Sequence, residues 1–131
     1  MQFSPFATLL VFFGGGIGAS LRYGFNLATL RLLGSNLPWG IFGINVLGSL
    51  VTGLVAGWLT ARAGEAFASN ARLFLMTGIL GGFTTFSAFS LDAVTLWERG
   101  ETANALAYVL GSVVLSIAAL ALGLTIARHI A

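Results

Sequence analysis

The chain has 131 residues, of which 57% are apolar and only 8% charged, against roughly a quarter charged in an ordinary soluble domain. Six arginines, no lysine and four acids cannot coat a 13.6 kDa globule, and the mean hydropathy of +0.96 agrees, so a soluble single-domain enzyme is excluded. The pI near 10.0 does not indicate a nucleic-acid partner, because the arginines stand singly at 22, 31, 62, 72, 99 and 128 and form no basic stripe.

Crossing the hydrocarbon of a bilayer takes about 20 residues of helix. The opening MQFSPFATLL has no positive n-region and begins an apolar stretch longer than a signal-peptide core, so no cleavage is expected. The first span runs over about 3–33, carrying Arg22 and Asn26 in its second half. LGSNLP reads as a turn, since Gly34, Ser35, Asn36 and Pro38 all break helices. The second span covers about 39–61 and is interrupted by Asn45. TARAGEAFASNAR reads as a polar connection. The third span covers about 72–97, ERGET forms a turn, and the fourth covers about 102–127. The whole chain, 1–131, is thus expected to be a single all-α transmembrane domain of four helices, with short connections forcing neighbours antiparallel. Zero cysteines remove disulfides and thiolate chemistry. The single His129 beside Arg128 reads as a solvated interfacial residue.

With the N-terminus on one side of the membrane, that side also carries Arg62, Arg72 and Arg128, and the opposite side carries Arg22, Arg31 and Arg99. Orientation follows an excess of Lys and Arg on the cytoplasmic side, and here there is none. Either lipids or other proteins decide the orientation, or chains insert both ways and pair as an antiparallel homodimer. The second reading is the more economical.

Glycine is heavy at 18 residues and falls at small-xxx-small spacing: Gly14 with Gly18, Ser49 with Gly53, Gly53 with Gly57, and Gly78 with Gly82. Such spacing brings helix backbones together in lipid. GGGIGA at 14–19 also matches a relaxed dinucleotide fingerprint, but no strand precedes it and no acid follows about 20 residues later.

Polar residues inside a span point to function. Arg22, Asn45, the stretch GILGGFTTFSAFSLD ending in Asp92, and the row Asn104, Tyr108, Ser112, Ser116 on the fourth span all qualify. Gly81, Gly82, Thr84 and Thr85 sit near mid-membrane, where they weaken a helix. A helix broken there is expected, and its freed backbone must be satisfied by protein, water or an ion. Simple kinking, filled by neighbouring hydroxyls, is the other reading. Phe86 and Phe89 follow at helical spacing with Ser87 and Ser90 beside them. The positive edge of a phenyl ring offers an anion weak stabilisation without trapping it. Neutral hydroxyl and amide donors outnumber carboxylates, which favours an anion as the moving species.

Three motifs together, GGxxGAxxRY at 15–23, Asn45-x-x-Gly48, and GGFTTFSAFS at 81–90, resemble the Fluc/CrcB fluoride channels over essentially the whole chain. The resemblance implies a multi-pass protein of the cell (plasma or inner) membrane, not an enzyme. It further implies a dual-topology antiparallel homodimer with two pores that passively exports fluoride. On that resemblance Phe86 and Phe89 are the pore phenylalanines, Asn45 the pore asparagine, and Ser112 or Ser116 the hydroxyl of the polar track, with Ser116 fitting the spacing better. Thr85 and Ser87 line the same path, and Tyr108 falls at a pore-constricting position. The carbonyls of Gly81 and Thr84, from both subunits, hold a structural Na⁺. Arg22 is an electrostatic attractor or ion-pair partner. Two departures are present: Ile41 where many members have Thr, and Asp92 where they often have Glu. The alternative is a small dual-topology proton-coupled multidrug transporter, which needs a carboxylate in the first span where this chain has Arg22.

Overall fold

The computed structural model describes residues 2–131. Helix α1 spans Pro5–Leu33. Ser4 caps it, its side chain accepting from the Ala7 N–H at 3.3 Å, and Pro5 occupies the first turn, where its missing N–H is harmless. It stops at Gly34, whose φ of 78° suits glycine. Helix α2 spans Trp39–Arg62. The third apolar segment is a composite of α3 (Glu65–Ala71), a π-helix π1 (Arg72–Leu80), α4 (Gly81–Phe83) and α5 (Phe86–Glu98). A turn through Gly100, at φ 79°, leads into α6 (Thr102–Ile130). Among the described residues, four apolar helical segments are long enough to cross a membrane: Pro5–Leu33, Trp39–Arg62, Glu65–Glu98 and Thr102–Ile130.

Two details differ from the reading of the sequence. The connection TARAGEAFASNAR is largely helical, because the alanines of EAFASNA favour a helix and Glu65 sits in its first turn, where a negative charge is stabilised. Polarity there does not mean irregular structure. The winding of 72–80 as a π-helix, with Gly81 N–H reaching back to Met76 C=O, has no signature in residue type. It coincides with a close crossing of α1, where a Cβ on Gly78 would lie 2.9 Å from Gly14 Cα.

The expected break in the third segment is present. Thr84 (φ −80°, ψ 157°) and Thr85 (φ −155°, ψ 120°) are extended, while the glycines just before them remain helical. Gly82 serves packing instead: a Cβ there would lie 2.6 Å from Gly15 O. Chain direction makes α2 and α6 parallel, and they form the most extensive helix pair. Their contact is built on small residues, since a Cβ on Gly53 would lie 2.9 Å from Leu124 N and one on Gly57 2.7 Å from Ala127 Cβ. The core gathers Ile41, Ile44, Phe89, Leu96, Ala105 and Tyr108. Much of the remaining apolar surface faces outward, including Phe6, Phe12, Leu33, Trp97, Ile117 and Ile130, as a lipid-facing exterior requires.

Candidate functional site

The site grows from the break. An extended pair of residues inside a helical segment frees backbone groups that hydrocarbon cannot satisfy. Asn45 on α2 takes up two of them: its Nδ2 donates to Thr85 C=O at 3.0 Å, and its Oδ1 accepts from Thr85 N–H at 2.9 Å. Thr85 caps α5, its Oγ1 accepting from Ala88 N–H at 3.1 Å and lying 3.3 Å from Ser87 Oγ. Thr84 spends both its N–H and its hydroxyl on Leu80 C=O, at 2.9 and 2.8 Å. In a continuous helix Thr85 N–H would bond Gly81 C=O, and Ala88 N–H would bond Thr84 C=O. Both donors are diverted, so these two carbonyls are released from the helical ladder.

Beside the break lies a cavity of about 380 Å³ between α2, α5 and α6. Asn45, Thr84, Thr85, Phe86, Phe89, Ser112 and Ser116 all line it, so residues 71 apart in sequence meet at one place. No acidic or basic side chain is among its lining residues. The hydroxyls of Ser112 and Ser116 are buried without a hydrogen-bond partner among the described residues. Hydroxyls elsewhere on the spans behave differently: Ser20, Thr29, Ser90 and Thr125 each donate to the carbonyl four residues back.

Phe86 and Phe89 stand with ring centroids 5.5 Å apart at 47°, and Phe89 packs on Tyr108 at 5.3 Å. Phe89 is 8% exposed, Phe86 79%. Their environments therefore differ although their spacing puts both on one side of α5.

Other candidates fall around the cavity rather than on it. Tyr108 backs the cavity through Phe89, and its hydroxyl donates to Asp92 Oδ2 at 3.2 Å. With Asn104 it faces a separate hollow of about 190 Å³ against Trp39 and Phe42. The row 104, 108, 112, 116 splits because a four-residue step overshoots a helical turn by about 40°, and three steps turn it away. Asp92 shares a polar crevice of about 190 Å³ with Ile41, Asn26 and Arg99. Arg22, half-buried on α1, does not line the cavity beside the break, and neither does Gly81 or Ser87. Ser49 and Thr52 do line it and were not anticipated. Their spacing of four and three residues after Asn45 and Ser49 respectively is the signal that could have found them. Among the described residues no cluster of His, Cys, Asp and Glu suited to a metal occurs.

Fold and site together define a small four-span membrane protein with a neutral, donor-rich cavity at a broken helix. The profile of the CrcB-like protein family (Camphor Resistance, CrcB) matches residues 9–124. A fluoride-specific ion channel FluC of Rhodopseudomonas palustris is 56% identical over 122 residues, 93% of this chain and 97% of the relative. One of Mesorhizobium japonicum is 54% identical over 125 residues, 95% and 98% of the two chains. FluC 2 of Nitrobacter hamburgensis is 52% identical over 122 residues, again 93% and 97%. The chain belongs to the CrcB/FluC fluoride channel family, whose members are channels and not enzymes.

Proposed function

We propose that the chain forms a fluoride-selective channel that passively exports fluoride from the cytoplasm across the inner membrane. Two copies insert in opposite orientations and pair as an antiparallel homodimer with two pores. The observation that carries the reading is the cavity lined by Ser112 and Ser116, whose buried hydroxyls have no protein partner among the described residues, beside Asn45, Phe86 and Phe89. A dehydrated anion needs donors that do not bind it too tightly. Neutral hydroxyls meet that need, and the edges of the two phenyl rings add weak positive potential. A lining free of arginine keeps the ion from being trapped, and one free of carboxylates keeps it from being repelled. Chloride, being larger, is rejected by a narrow, rigid path.

The released carbonyls of Gly81 and Thr84 fit a structural sodium ion at the dimer centre, two from each subunit. Hard oxygen donors suit such a cation, and the diverted hydrogen bonds leave these two carbonyls free to serve it. When bound, sodium supplies positive charge that offsets the cost of holding an anion in a low-dielectric setting. A proton-coupled cation transporter is disfavoured, since α1 has no carboxylate and Asp92 is engaged by Tyr108 outside the cavity.

The test is efflux from proteoliposomes loaded with fluoride or, separately, with chloride, with valinomycin carrying the balancing K⁺. Fast fluoride release with negligible chloride release is expected. Absence of fluoride flux from protein that is dimeric in detergent would overturn the reading.

A further inference from the structure

We propose that Ser49 is a further fluoride-coordinating residue, the donor on α2 that receives the ion beyond Ser116. The inference rests on the channel reading above and extends its path. Ser49 lines the same cavity as Asn45, Ser112 and Ser116. It follows Asn45 by four residues, about 6 Å along the helix at 1.5 Å per residue.

The relative level of the two walls follows from the α2–α6 contact. A Cβ on Gly53 would lie 3.1 Å from Gly123 Cα and one on Gly57 2.7 Å from Ala127 Cβ. The helices are parallel, so counting back four residues from Gly53 and Gly123 places Ser49 level with Ala119. By the same count Asn45 is level with Leu115, one residue before Ser116. The donor row on α6 therefore ends at Ser116, and the next lining residues there, Ile117 and Leu120, are apolar. An ion moving on from Ser116 finds its next donor on the opposite wall, at Ser49.

Hydrogen bonding separates Ser49 from its neighbour. Thr52 also lines the cavity, but its hydroxyl proton is committed to Gly48 C=O at 2.7 Å, so it offers the ion only lone pairs. Among the described residues the Ser49 hydroxyl makes no such bond to Asn45 C=O, so its proton is not committed there. A small residue here would also satisfy the helix contact that Gly53 and Gly57 build, and that role makes no demand on a hydroxyl.

Fluoride efflux, measured with a fluoride electrode, should be compared for the wild type and Ser49→Ala in the same proteoliposomes, alongside thermal unfolding and elution of both proteins in detergent. Loss of a donor to an ionised partner is expected to slow efflux by about tenfold while unfolding temperature and dimeric elution stay as in the wild type. Wild-type efflux from Ser49→Ala would overturn the assignment. So would a loss of flux accompanied by a lower unfolding temperature, which would make Ser49 a packing residue. Absence of flux in the wild type itself would instead remove the channel reading, and the Ser49 role with it.

Discussion

Asn45 has a structural duty that its position in an apolar helix does not reveal. Its amide closes two hydrogen bonds on Thr85, at 2.9 and 3.0 Å, and one N–H remains for whatever enters the cavity. Asn45→Ala leaves two backbone groups unsatisfied in a half-buried setting, which should cost about 2–4 kcal/mol. A fall in unfolding temperature, together with loss of flux, is the expected result. Phe86 and Phe89 should separate in a different way. Replacing either with Ile should cut fluoride flux at least about tenfold, since the ring edge is lost. Only Phe89→Ile should also lower stability, because Phe89 is packed in the core on Tyr108 whereas Phe86 is 79% exposed. Undiminished flux in both variants would remove the aromatic role.

At the scale of the element, the third segment holds its break because its neighbours leave it little freedom. Glycines on α1 let the backbone of π1 and α4 approach closely, and Asn45 fixes the extended pair from the other side. A Cβ on Gly18 would lie 2.8 Å from the Phe83 backbone N, just before the break. Gly18→Ala is therefore expected to destabilise the protein by about 1–3 kcal/mol and to shift the break. A Cβ on Gly24 of the same helix would meet nothing within 4 Å, and Gly24→Ala should leave the chain's own fold intact. Expression level and thermal unfolding of the pair read out the contrast. Equal behaviour would show that close α1 packing is not what holds the third segment.

For the whole molecule, the balance of arginines carries the proposed antiparallel assembly. Three lie toward each side, so a small added bias should decide the orientation of every chain. Ser35 and Asn36 sit exposed in the turn between α1 and α2. The double variant S35K/N36K is expected to insert in one orientation and to lose flux when expressed alone. Co-expression with S69K/N70K, biased from the opposite side, should restore it. Full flux from S35K/N36K alone, with a single orientation shown by labelling, would contradict the antiparallel dimer.

Composition by itself determined that this chain lives in a membrane, because ten charges cannot solvate a chain that is 57% apolar. Hydropathy delimited four spans, and the weak helix formers Gly81 to Thr85 marked where the third would part. The family, too, was legible in three short motifs. Residue type did not disclose the location of the break at Thr84–Thr85 rather than at the glycines, since a small residue serves close packing as readily as unwinding. Nor did it show that α3 is helical or that 72–80 winds as a π-helix. The meeting of Asn45, Ser49 and Ser116 across two parallel helices depends on their register, which the Gly53 and Gly57 contacts with α6 decide. Which hydroxyls keep their protons for a ligand is likewise a matter of tertiary structure. A serine or threonine on a helix spends its proton on the carbonyl four residues back unless its surroundings turn it elsewhere.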